Sequence, residues 1–283
     1  MIIGDYKIHS IKAGLFKLDG GSMFGVVPKT IWNKSNPSDE HNRIEMSTNV
    51  LLLESKNRKI LIDTGIGHKM SDKLNQIYGV DYSEHTLEKG LSDLNIKSED
   101  ITDVILTHLH FDHAGGSTKY DENKTTMPSF KNATYYVQEE HLELALNPTE
   151  RDKASFSPDN YEPLIKSKQL KVVKDEFELD DFITLIPLNG HTRSMQIVKV
   201  SDEQETLVYL ADLIPMSAHI PLPYIMGYDL FPLVTLEEKR KYLKEISENN
   251  YTVFFEHDPY VEAGKIGFNE KSYFLKEKLN INN

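Results

Sequence analysis

Three imidazoles and a carboxylate crowd into six residues of this chain: His108, His110, Asp112 and His113, in the run Thr107-His-Leu-His-Phe-Asp-His-Ala-Gly-Gly116. The run directly follows Val104-Ile105-Leu106, so it reads as a buried strand that ends in a ligand-rich loop closed by a glycine pair. Imidazole nitrogen and carboxylate oxygen are the borderline donors that hold zinc and its first-row neighbours. In an extended or turning backbone alternate residues face the same way, so His108 and His110 can converge on one ion. Asp112 and His113 then fall on the far side of the turn and can serve a second. A polar surface loop would have to gather three of the chain's eleven histidines there by accident, after a strand built for burial.

The spacing His-x-His-x-Asp-His resembles the signature of the metallo-β-lactamase-fold hydrolases. That family supplies three further ligands in order: a His in a Gly-His-Thr turn, an Asp ending a strand and a late His after another strand. Gly190-His191-Thr192 follows the strand-like residues 183–188, Asp212 ends the apolar run 206–211, and His257 follows 251–256. Each alone is a weak signal, but together and in order they extend the likeness over nearly the whole chain. By this resemblance one ion takes His108, His110 and His191, the other takes Asp112, His113 and His257, and Asp212 bridges them. The implied fold is α+β, a four-layer αββα sandwich forming a single metallo-β-lactamase-like domain over residues 1–283. The implied cofactors are two divalent metal ions per chain, zinc first, with iron, manganese or cobalt as alternatives. Chemistry would follow by attack of a metal-bridging hydroxide, with Asp112 and Asp212 as the catalytic carboxylates that return a proton to the leaving oxygen.

Lys59-Ile-Leu-Ile-Asp63-Thr64-Gly65 is similar to the family's early strand, whose Asp orients a ligating His rather than binding metal itself. Asp-Thr-Gly also has a reading as the turn of an aspartic protease. That chemistry needs two carboxylates sharing a proton, and the chain has no second such turn.

At 283 residues and 39% hydrophobic, the chain can bury a substantial core as one domain. Absence of Cys excludes disulfides and thiolate ligands. The first residues lack a basic stretch followed by a long apolar one, and no segment reaches membrane-spanning length, so a cytoplasmic protein without membrane contact is expected. A net charge of −12 repels nucleic acid and disfavours the RNA-processing branch of the fold.

Residues 47–54 and 59–63 look like paired core strands; 87–94 has helical spacing ahead of a strand at 103–106. A strand at 134–137 precedes a helix at 139–146 ended by Asn147-Pro148, and 236–246 reads as an amphipathic helix with Thr235 as N-cap.

Asp19-Gly-Gly-Ser-Met-Phe-Gly25, followed by Trp32, resembles the branch containing quorum-quenching N-acyl-homoserine lactonases and methyl-parathion-type organophosphate hydrolases. There the corresponding segment lies at the mouth of the metal site, which makes Met23 and Phe24 candidate substrate contacts. Residues 215–228 form a second candidate wall, with Met216, His219, Tyr224 and Tyr228 and prolines at 215, 221 and 223. In the homoserine lactonases a Tyr three residues past the bridging Asp bonds the substrate carbonyl; this chain has Pro215 there. Many relatives continue Gly-His-Thr with Pro-Gly-His, where this chain has Arg193-Ser194-Met195. The expected partner is therefore a small lactone or ester, foremost an N-acyl-homoserine lactone. Phosphotriesters or other carboxylic esters are the alternative, and a homodimer is expected only by analogy. A redox di-iron enzyme of the same fold would carry Glu where this chain has His110, together with a flavin domain. A non-catalytic binding module would not need a full ligand set.

Overall fold

The computed structural model describes residues 1–282. Its strands are β1 (Ile2–Ile3), β2 (Tyr6–Asp19), β3 (Arg43–Glu54), β4 (Lys59–Ile62), β5 (Asp103–Ile105), β6 (Thr118–Tyr120), β7 (Thr126–Pro128), β8 (Thr134–Gln138) and β9 (Leu170–Val173) in the first half. The second half contributes β10 (Phe177–Glu178), β11 (Ile183–Leu188), β12 (Met195–Ser201), β13 (Thr206–Tyr209), β14 (Thr252–Phe254), β15 (Ala263–Phe268) and β16 (Tyr273–Leu279). Helices are α1 (Gly20–Phe24), α2 (Lys29–Trp32), α3 (Asp72–Ile77), α4 (Leu87–Asp93), α5 (Phe111–Ala114), α6 (Glu139–Leu146), α7 (Glu162–Lys166) and α8 (Pro232–Glu248). One seven-stranded sheet runs β1-β2-β3-β4-β5-β8-β9, the other β10 through β16 in order, and β6-β7 is a separate hairpin.

Strand periodicity explains the layering. Leu51 and Leu53 of β3 join Ile60 and Ile62 of β4 in a core shared with Leu185, Ile197 and Leu207 of the second sheet. Val50 and Leu52, pointing oppositely, pack with Leu61 and Val104 against Leu87 and Leu91 of α4 and Ala145 of α6. Tyr242, Leu243 and Ile246 of α8 cover the second sheet. Both faces of each central strand are thus buried, as the nearly continuous apolar runs require. The result is the four-layer αββα metallo-β-lactamase fold.

The β3–β4 pairing and helices α4 and α6 lie where sequence patterning places them. α8 does not: it starts at Pro232, so Thr235 is inside the helix and its hydroxyl donates to Asp229 Oδ2 at 2.8 Å instead of capping. Proline in the first helical turn, whose missing N–H costs nothing there, is the better start signal.

β4 and β5 are parallel, as are β13 and β14. Asp63 follows β4 directly, and His108, His191, Asp212 and His257 each come three residues after β5, β11, β13 and β14. Their side chains therefore gather at one rim of the sandwich.

Candidate metal centre

The structure brings all seven expected ligand residues together. His108, His110, His191 and Asp212 form one group and Asp112, His113 and His257 another, the donor atoms within each lying inside 4.8 Å of one another. His110 precedes the short helix α5, which swings Asp112 and His113 to the second group. Asp212 stands between the groups. Its Oδ2 lies 3.2 Å from His191 Nε2 and 3.5 Å from His113 Nε2, and its Oδ1 lies 3.3 Å from His257 Nε2.

For three of the histidines the inward nitrogen is set by what holds the outward one. His191 Nδ1 donates to Asp229 Oδ1 at 2.9 Å, and His257 Nδ1 donates to Ser47 O at 2.9 Å. His113 Nδ1 faces two carboxylates, Asp63 Oδ2 at 3.1 Å and Glu256 Oε2 at 3.0 Å. Acceptor-only partners fix these tautomers, so the Nε2 atoms turn lone pairs inward. His113 Nε2 and His257 Nε2 then face each other at 3.1 Å, and His108 Nε2 faces His110 Nδ1 at 3.0 Å. Between His113 and His257 these are opposed lone pairs, which repel unless a cation, a proton or a metal ion, lies between them. The donor set fits divalent metal.

Charge points the same way. Burial pushes His113 down, but the carboxylates of Glu256, Asp112 and Asp212 outweigh it and hold the imidazole well above its ordinary range. Against burial, Asp212 and Glu256 likewise raise His257 to about 9. Burial would raise Asp212, yet the imidazoles of His191, His113 and His257 keep it ionised, well below the usual carboxylate range. Burial and neighbouring imidazoles hold His108 and His110 well below theirs. A pocket that raises histidines against desolvation is one that calls for positive charge.

Asp63 is fully buried and sits at φ 59°, a left-handed value that β-carbon residues adopt at a cost. Two hydrogen bonds hold it there: Thr107 N donates to Oδ1 at 2.8 Å and Thr107 Oγ1 to Oδ2 at 2.6 Å. Its other contact is His113, as an orienting Asp requires.

A cleft of about 350 Å³ opens onto the clusters. Met23 and Tyr228 line it, with Met46, Met226, Leu18, Tyr78, Phe111, Leu230 and Arg151. Phe24, Met216, His219 and Tyr224 do not. Phe24 is wholly buried, stacked between Trp32 at 5.3 Å and His219 at 4.6 Å, with Tyr224 edge-on at 6.2 Å. Met216 is buried in the same cluster. His219 Nε2 donates to Met23 O at 2.8 Å, and burial lowers its pKa to about 3. These four support the wall from behind; a large aromatic on a glycine-flanked turn packs inward when a Trp plane is available.

Sequence reasoning missed Glu256, Asp229 and Tyr78. Glu256 is fully buried; burial raises its carboxyl, and the His113 imidazole beside it pulls it back. Its position before His257 in an apolar run was the available sign. Asp229 follows Tyr228 and carried no local signal. Pro215 lies off the cleft, its carbonyl accepting from His257 N at 2.9 Å.

A rim of clustered imidazoles and carboxylates at one end of an αββα sandwich, open to a cleft, defines a metal-dependent hydrolase. The Metallo-beta-lactamase superfamily model matches residues 43–257, and the chain belongs to that superfamily. It is 25% identical over 271 residues to an N-acyl homoserine lactonase of Bacillus cereus, covering 91% of this chain and 95% of that protein. A probable metal-dependent hydrolase from Staphylococcus aureus superposes with a TM-score of 0.88 at 31% identity, covering 99% of this chain and 100% of that one. The fold is also shared with AidC, described as a dizinc quorum-quenching lactonase in complex with a product, at a TM-score of 0.81 and 23% identity over 99% of this chain and 97% of that one. No helix among the described residues is long and apolar enough to cross a membrane.

Proposed function

We propose that this chain, as one domain, is a dinuclear hydrolase opening lactone rings, foremost N-acyl-homoserine lactones, and so a quorum-quenching enzyme. The observation that carries the reading is Asp212, whose carboxylate lies within 3.5 Å of histidines from both donor groups at the floor of an apolar-walled cleft. His108, His110 and His191 would hold one divalent ion, zinc by preference, and Asp112, His113 and His257 the other, with Asp212 touching both. When bound, two such ions acidify water and polarise an ester carbonyl.

The chain's own groups do the rest. Asp112 lines the cleft beside Asp212, and either can take a proton and return it to the leaving oxygen. Partial burial keeps Tyr228 neutral, its pKa raised to about 12, and burial with the Asp112 charge raises Tyr78 too. Both hydroxyls therefore remain donors, available to orient the substrate where Pro215 offers none. Met23, Met46 and Met226 supply adaptable apolar surface for an acyl chain.

Support from comparison is the lactonase naming of relatives aligned over most of the chain. The test is elemental analysis after metal reconstitution, run beside a panel of N-acyl-homoserine lactones, simple esters and phosphotriesters. Two ions per chain and lactone cleavage are expected, with Asp212→Ala abolishing both the second ion and turnover. Saturation at one ion would overturn the dinuclear reading. Fast phosphotriester cleavage without lactone cleavage would move the substrate to organophosphates.

A further inference from the structure

Residues 215–228 carry three prolines and no strand, so their carbonyls cannot be met by a regular ladder. Four of them, at 219, 221, 222 and 224, are met by the amino group of one lysine. Lys239 of α8 is fully buried, and its Nζ donates to His219 O at 2.7 Å, Tyr224 O at 2.8 Å and Pro221 O at 2.9 Å, with Leu222 O at 3.5 Å. The fastening extends further. His219 Nε2 donates to Met23 O at 2.8 Å, and Gly227 N donates to Ser22 O at 2.7 Å. Ser22, Met23, Met226, Gly227 and Tyr228 are the residues these links place along one side of the cleft.

We infer that Lys239 is a positioning residue for substrate selection: from behind the cleft it pins the loop and, through His219, the Met23 segment, so fixing the wall that an acyl chain meets. It touches neither the metal groups nor the cleft. The claim rests on the acyl-substrate reading above only for the identity of what the wall contacts.

The metal-loaded Lys239→Met protein is compared with wild type on N-acyl-homoserine lactones of increasing chain length and on a small chromogenic ester. The expected result is a rise of about tenfold in KM for the longest chains, with kcat and small-ester turnover within about threefold and both ions retained. His219→Phe, which breaks only the link to Met23, should give the same trend with less loss of stability. Hydrogen exchange supplies a readout without turnover: amides of 216–228 and 22–25 should exchange about tenfold faster while β12 and β13 stay protected. Equal losses on all substrates, an unchanged chain-length profile, or loss of protection spread through both sheets would overturn the inference. A wild type that cleaves no lactone would overturn the functional reading instead, and the exchange pattern would still decide the role of Lys239.

Discussion

Removing Asp229 should weaken one metal site and spare the other. Asp229 is buried, accepts from His191 Nδ1 at 2.9 Å and from Thr235 Oγ1 at 2.8 Å, and is not itself a member of either donor group. In Asp229→Ala the imidazole loses the acceptor that fixes its tautomer and ring plane, and Thr235 loses its acceptor. Losing such an outer partner typically lowers metal affinity 10–100-fold, which is about 1.4–2.8 kcal/mol. Asp229→Asn keeps an acceptor oxygen but removes the charge, so it should fall near the lower end. The assay is stepwise titration of apoprotein against a chromogenic chelator. Wild type should give two tight equivalents; Asp229→Ala should give one unchanged and one weakened, because His191 serves only one group. An unaltered titration, or equal weakening of both steps, would refute the account of His191 orientation.

Two further outcomes follow from packing. Gly115→Ala should cost about 2 kcal/mol or more, at the severe end of overpacking, because the added carbon would lie 1.9 Å from Ile66 O, a backbone atom that cannot step aside. Urea unfolding should show an earlier midpoint at unchanged slope, and metal stoichiometry should drop as Asp112 and His113 shift. Arg58→Met should destabilise by about 1–3 kcal/mol by taking the cation from Asp103, which keeps Thr102 Oγ1 at 2.6 Å and Tyr136 OH at 3.1 Å as donors, yet leave kcat alone. Arg58 joins Asp103, at 2.9 Å, to Asp180, at 2.8 Å, away from the residues that line the cleft. A loss below about 1 kcal/mol would mean that the hydroxyls of Thr102, Tyr136 and Tyr6 hold the two carboxylates without the cation.

Legibility in the sequence followed the range of each interaction. The His108–His113 cluster was readable because its members are neighbours in the chain, and Asp63, His191, Asp212 and His257 because each terminates an apolar run. What lay hidden depends on contacts between distant segments. Asp229 meets His191 across 38 residues, and Glu256 meets His113 across 143. Phe24 is a pocket candidate in the sequence because its segment resembles one at the mouth of the metal site in a related branch; only the approach of Trp32 and His219 makes it core. The glycine pair after His113 was read as a turn, but neither residue is at positive φ. Gly115 and Gly116 are small because Ile66 O and Thr64 O press against them.

Helix α8 explains several of these at once. Thr235 holds Asp229, which holds His191; Glu238 accepts from Asn189 N at 2.6 Å and Gly190 N at 3.0 Å; Lys239 holds the proline-rich loop. A β-carbon on Gly190 would stand 2.4 Å from Thr235 Oγ1 and 2.5 Å from its backbone, so the Gly of the Gly-His-Thr turn is there to admit the helix. Burial raises the Glu238 carboxyl, and the two backbone donors offset part of that rise. Thr235, Glu238 and Lys239 of α8 are therefore not part of its solvated face, which Glu237 and Arg240 form. They set the orientation of a ligand histidine and of a cleft wall, and the helix couples the two: what displaces its first turns should loosen both metal and substrate, whereas Lys239→Met should loosen only the second.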